Sequence, residues 1–264
     1  MNNVNLSNSK KLYSTYSPLK TSKELRDKYE SITSTEIDLT KNIRELYNKE
    51  ISNGFLNESV IKSAFIEKFS FKKSPQNTIT IFELNVGSSR ADICMINGKS
   101  MVFEIKTEYD SFYRLDGQLN DYFKVFQYVN IIIHENMLLD ALSRIGSNVG
   151  IITYSKNRLG NVVFKEHRFP AYNNDIDSET QLNALTKTQL RMLFKNIYTN
   201  SSDEFFSQII SHKSKDEITD IFNKCIKEKY KAKWNYIFKN KDNIIPLDYQ
   251  WFFKNNIPTT IVYK

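Results

Sequence analysis

An α/β fold, with a mixed central sheet flanked by helices and a mainly helical C-terminal extension, is the architecture this sequence predicts. Three observations support it. Short β-branched runs such as "TITIFELNV", "ADICMI" and "VNIIIH" crowd into residues 77–169, helical patterning fills the intervals between them, and from about Gln181 the strand signal gives way to amphipathic helices. A hydrophobic fraction of 40%, with 18 Phe and 15 Tyr, provides for a sizeable core over the 264 residues.

Residues 1–22 are polar, with an isolated Pro18, and read as a flexible lead-in. "KELRDKYE", "EIDLTKNIRELYNKEI" and "NESVIKSAFIEKFSF" are helical in pattern, the last with Val60, Ala64, Ile61 and Phe65 toward the apolar side. They open a core spanning residues 23–170. After Pro75 come the strand "NTITIFELNV", the turn "GSSR", and the strands "ADICMI" and "SMVFEIKT" joined through Asn97 and Gly98. A helix over about 112–126 follows, with Leu115, Leu119, Tyr122 and Phe126 as its core face. "YVNIIIH", the helix "NMLLDALSRIG", "VGIITYS" and "NVVFKEHRF" complete the sheet; the unbroken apolar runs suit strands covered on both faces.

Residues 171–264 form a basic, mainly helical region, with a strand signal only in the last residues. From Ser211 to Asn240 there are eight Lys and four acidic residues, and Phe222, Ile226, Tyr230, Trp234 and Ile237 supply a core stripe. Either a separate domain or helices packed across the sheet fits this pattern.

Net charge of +7 at a sequence pI of about 9.1 favours polyanionic partners. Cys94 and Cys225 make no disulfide framework, and His134, His167 and His212 lack zinc-ligand spacing, so a metal is expected on carboxylates. No apolar run approaches a membrane span and the N-terminus lacks a signal-peptide pattern, which places the expected location in the cytoplasm.

The chemistry concentrates in "ADICMINGKSMVFEIKTEYDSFYRLDGQLNDYFKVF", residues 91–126. Glu104 and Lys106 are two apart on one strand and share a face. A two-residue hairpin at Asn97–Gly98 sets Asp92 opposite Phe103 and spoils the cluster, whereas a three-residue loop, Asn97 to Lys99, or a bulge sets Asp92 opposite Glu104. Gln118 lies one turn from Arg114 and nearly one from Asp121 on the following helix.

Asp92, the hairpin, the Glu104–Ile105–Lys106 triplet and the helical Gln118 together resemble the PD-(D/E)XK nuclease superfamily, with its restriction-endonuclease-like fold, and most closely the sce7726 family, over residues 58–155. Ala91 stands where many superfamily members have Pro. The resemblance implies a nuclease acting on DNA in preference to RNA, in restriction, repair or defence against mobile elements. It further implies Mg2+, replaceable by Mn2+, with Asp92, Glu104 and the Ile105 backbone carbonyl as expected ligands, Glu83 or Glu67 as a further one and Glu58 a weaker choice. Asp92, Glu104, Lys106 and Gln118 are the implied catalytic residues, with Glu83, Glu67 and Arg114 supporting. Arg90, Arg114, Lys229, Lys231 and Lys233 are candidate phosphate contacts. A nuclease-fold module without cleavage, binding nucleic acid or a protein partner, is the alternative, and a homodimer is open to either.

Overall fold

The computed structural model describes residues 6–194 and 201–263. Six strands form one sheet in sequential order: β1 (Ile79–Val86), β2 (Ser89–Ile96), β3 (Ser100–Lys106), β4 (Tyr128–His134), β5 (Gly150–Lys156) and β6 (Val162–Arg168). The pairs β1–β2, β2–β3 and β5–β6 are antiparallel; β3–β4 and β4–β5 are parallel. The sheet is therefore mixed, as the sequence predicts. Its centre is the driest part: Ile131, Ile132 and Ile133 of β4 are fully buried, which is why that strand reads as an unbroken apolar run.

Helices α1 (Leu6–Thr15), α2 (Ser22–Thr33), α3 (Ile43–Gly54) and α4 (Glu58–Phe65) precede the sheet, and a single π-helical segment, Ile66–Ser70, prolongs α4. Asn57 caps α4, its side chain accepting the Val60 N–H at 3.1 Å. Ile61 and Phe65 lie on the buried side of α4, while Ala64 is only half-buried. α5 (Leu115–Phe123) crosses from β3 to β4, and α6 (Leu138–Arg144) from β4 to β5. All four residues of the expected core face, Leu115, Leu119, Tyr122 and Phe126, are buried.

Successive side chains on β3 point to opposite faces. Phe103 meets Phe65 of α4, with ring centroids 4.7 Å apart, and its neighbour Glu104 meets Tyr122 of α5. The two helices thus cover opposite faces of β3, and the functional residues lie between them.

The C-terminal region comprises α7 (Ser178–Asn183), α8 (Lys187–Leu193), α9 (Ser202–His212), α10 (Lys215–Asn240), α11 (Tyr249–Asn255) and α12 (Thr259–Val262). The helical pattern that sets in at about Gln181 is divided between α7 and α8, and residues 195–200 lie outside the described residues. Among the described residues no strand forms near the C-terminus; "TTIV" makes the helical turn α12, pinned by the Thr259 N–H donating to Tyr236. These helices share the core of the sheet. Asn223 of α10 donates to Gln127, whose Oε1 also takes the Ser100 N–H, and Trp234 stacks on Phe71 at 5.6 Å.

Residues 6–22 also depart from the expectation of a flexible lead-in. Leu12 of α1 is buried against α3, and Tyr16 donates to Asp248 at 2.7 Å. Leu6, Leu12, Tyr13, Tyr16 and Leu19, scattered through a polar stretch, gave too weak a pattern to betray the packing. Tyr263 donates to the same Asp248 oxygen at 2.6 Å. Burial pushes the Asp248 carboxyl up to about 6 despite these two hydroxyls and Arg44, which act in the other direction. A folded-state value above the ordinary 3.8 means that the native protein holds the proton more tightly than the unfolded chain. This contribution is complete below about pH 4 and is lost as pH rises through about 6, on the order of 2–3 kcal/mol. Asp248→Asn, which still accepts both hydroxyls, is expected to gain stability relative to the parent as pH rises from 4.5 to 7.5, read from urea midpoints. A difference that stays flat over that range would remove Asp248 as the cause.

Candidate active site

The β2–β3 connection decides whether a site exists. Ile93 pairs with Phe103 and Ile96 with Ser100, so Asn97, Gly98 and Lys99 form a three-residue loop, with Gly98 at φ +93°. One step further along this ladder, Asp92 stands opposite Glu104. This is the register that brings the carboxylates together rather than the one that turns Asp92 away. Asp92 Oδ2 accepts the Ile105 N–H at 2.8 Å, continuing the ladder with a side-chain oxygen.

Around Glu104 the network is saturated. Oε1 accepts from Lys106 Nζ at 2.8 Å and from Gln118 Nε2 at 2.5 Å, and Oε2 accepts from the Tyr122 hydroxyl at 2.6 Å. Lys106 also donates to Gln118 Oε1 at 2.8 Å. Glu104 and Lys106 are both buried, and α5 places Gln118 and Tyr122 four residues apart on the face turned to them. Burial and the adjacent Glu104 raise the Tyr122 hydroxyl far above the ordinary tyrosine range, so it remains a donor. The sequence marked Tyr122 only as core; it is also a ligand of the central carboxylate.

A second cluster adjoins the first through Asp92. Lys62 of α4, 1% exposed, extends between Glu58 Oε1 (2.5 Å) and Asp92 Oδ1 (3.1 Å), with a close pair to Glu83 Oε1 and a contact to Gln250 Oε1 of α11 at 3.2 Å. Arg90 pairs with the other Glu83 oxygen. Burial draws the Lys62 ammonium toward deprotonation, but Asp92, Glu58 and Glu83 outweigh it and hold the group above the usual lysine range. Asp92 is shifted upward by burial; Glu104 and Glu58 add to the shift, while Lys62 and the Ile105 N–H oppose it.

Glu83 has φ +57°, a left-handed conformation inside a strand that costs a non-glycine residue about 1–2 kcal/mol. The other described non-glycine residues with positive φ, Ser34 and Asn256, cap helix ends. In β1 the distortion falls between the pairs Phe82–Ile93 and Leu84–Ala91, beside Asp92, and the ion pairs to Lys62 and Arg90 hold it there.

The remaining expected residues are dispersed. Glu67 is exposed and takes the Tyr249 hydroxyl at 3.2 Å, whereas Glu58, the weaker choice from sequence, joins Asp92 and Glu83 within 4.8 Å. Lys62 lies one turn after Glu58, whereas Glu67, nine positions after Glu58, falls on the other side of the helix. Arg114 is exposed at the start of α5. On α10, Lys229 lies over Tyr230, Lys231 faces Glu228 at 3.6 Å, and Lys233 donates to the Lys254 carbonyl at 3.2 Å. Asp121 accepts from Ser88 and Ser89 and fastens the β1–β2 turn to α5; a Cβ at Gly87 would stand 2.9 Å from its carboxylate.

The donor set fits a hard divalent cation. Asp92, Glu104 and the Ile105 carbonyl offer only oxygen, and four carboxyl groups (Glu58, Glu83, Asp92, Glu104) face three cationic side chains (Lys62, Arg90, Lys106).

Fold and site together define a mixed α/β protein with a buried carboxylate–lysine centre between a sheet and two helices. The chain belongs to the Bacteriophage P4 protein cII family, whose profile matches residues 52–251, a span that contains every residue of both clusters. It is 30% identical over 187 residues to Protein cII of Enterobacteria phage P4, covering 68% of this chain and 70% of that one. Among solved structures it is similar to a Silicibacter pomeroyi protein of unknown function, at 10% identity and a TM-score of 0.31, covering 48% of this chain and 87% of the other. No helix among the described residues is long and apolar enough to cross a membrane.

Proposed function

We propose that the chain is a Mg2+-dependent nuclease of the PD-(D/E)XK, restriction-endonuclease-like type, cleaving phosphodiester bonds in DNA. The observation that carries this reading is the register placing Asp92 opposite Glu104, with Lys106 and Gln118 hydrogen-bonded to the same Glu104 oxygen. Asp92, Glu104 and the Ile105 carbonyl would hold the ion, and Mn2+ would substitute for it. Bound there, the metal supplies polarisation of the scissile phosphate and a lowered pKa for the attacking water. Lys106, released from Glu104 when substrate enters, offers its ammonium to charge growing on the phosphate. Gln118 orients the water or substrate from the α5 side.

Nucleic acid as substrate also suits the loop between β3 and α5. Asp110 takes the Thr107 N–H and hydroxyl, and Tyr109 lies 5.7 Å from Phe55 with Lys10 over its ring, so the loop is anchored. Tyr113, 91% exposed, and Arg114 project from it, a pairing suited to a base face and a phosphate.

One observation favours the second reading, a nuclease-fold module that binds nucleic acid or a protein partner without cutting. Both Glu104 oxygens and both Asp92 oxygens are already engaged by protein donors. Cleavage of end-labelled single- and double-stranded DNA and RNA with Mg2+, Mn2+ or EDTA separates the two. Metal-dependent products support the enzyme; binding without products supports the module.

Lys229, Lys231 and Lys233 provide an independent test of how DNA would approach. If α10 touches the backbone, neutralising all three lowers the slope of log affinity against log salt by about 2–3 and weakens binding uniformly across sequences. An unchanged slope would remove them from the interface. Lys233, already bonded to the Lys254 carbonyl, is expected to contribute least.

A further inference from the structure

Lys62 is not an ordinary ion-pair partner. A single carboxylate neutralises an ammonium, yet three converge on this one together with the Gln250 amide oxygen, contributed from 188 positions along the chain. The ammonium has three N–H donors for these four oxygens, and the carboxylate oxygens lie within 4.8 Å of one another, the spacing of ligands around a single cation. The left-handed backbone of Glu83 brings one of them there at a conformational cost. Lys62 is 1% exposed, so vacating the position would leave a buried ammonium without its partners.

We propose that Lys62 is a built-in cation occupying the cation position of the Glu58–Glu83–Asp92 cluster, so that a divalent ion is confined to the Asp92–Glu104 side and the centre works with one metal ion. The second clause rests on the nuclease reading; the first does not. Lys62 is thus a positioning residue, fixing Asp92 Oδ1 on one side while the Ile105 N–H fixes Oδ2 on the other. The side chain also sets the metal count, because it excludes an ion from a ligand set that would otherwise accept one.

The test counts Mn2+ bound per chain, by calorimetry and by the electron paramagnetic resonance signal of free Mn2+, in the parent and in Lys62→Met. The variant is expected to bind one more Mn2+ than the parent, and to gain more thermal stability from Mn2+ than the parent does. Equal counts in parent and variant overturn the inference, as does a parent that already binds two ions. Should Lys62→Met fail to fold, Lys62→Met with Glu58→Gln removes a negative charge along with the positive one and leaves Glu83 and Asp92; it too is expected to gain one ion, more weakly, and no gain counts against the inference. A parent that binds no Mn2+ beside a variant that binds one keeps Lys62 as the built-in cation and removes the Asp92–Glu104 metal site. In that case the nuclease reading fails while the inference about the lysine stands.

Discussion

Glu104→Gln is expected, on the proposed nuclease reading, to leave a folded protein whose metal-dependent cleavage of DNA has fallen by at least about 10³-fold, the scale on which loss of a preorganised electrostatic group acts. The substitution keeps the shape and removes one charge. Its amide can keep its oxygen toward Lys106 and Gln118 while the NH2 faces Tyr122, whose hydroxyl also has the Arg90 carbonyl at 3.1 Å as an acceptor. The structural cost is therefore moderate, about 1–3 kcal/mol for weakened buried hydrogen bonds. The functional cost is not, because a neutral amide is a poor ligand for a divalent ion and no longer balances Lys106. Cleavage rates and urea midpoints measured on the same preparations separate the two effects. Cleavage within about tenfold of the parent would assign any reaction to other residues.

The elements of the sheet and the place of the β2–β3 turn were legible because both are local, while the length of that turn was left open. Strand runs, the Asn97–Gly98 signal and the alternation of Glu104 and Lys106 lie within one segment, and the three-residue loop required for a working cluster is the one that forms. α5 was readable in the same way from its apolar spacing. Lys62 was hidden because its partners come from four places: Glu58 a helical turn away, Glu83 on a distorted strand position, Asp92 on β2 and Gln250 on α11. Nothing in "NESVIKSAF" distinguishes it from a solvated lysine except the Glu58–Lys62 spacing. Glu67 and Glu58 both fell on the helical stretch expected before the sheet, and the one-turn spacing of Glu58 and Lys62 was the local signal that separates them.

The relation of the C-terminal helices to the sheet was left open by the sequence, and Trp234→Ala gives the second large effect. Trp234 is fully buried on α10, stacked on Phe71, which meets Tyr249 edge-on at 5.3 Å. Tyr249 is followed by Gln250, the residue that contacts Lys62. Removing the indole from such a position costs about 3–5 kcal/mol through lost burial and the cavity left behind. Were α10 part of a separate domain, that loss would lower the stability of the C-terminal helices alone. Because the ring instead packs against the segment leading into β1, and Asn223 of the same helix bonds to Gln127 beside β4, the sheet is expected to lose stability with it. Hydrogen exchange reads this directly: amides of β1, β2 and β3 in Trp234→Ala should lose protection together with those of α10. Sheet amides retaining parental protection while α10 opens would establish the C-terminal helices as an independent unit.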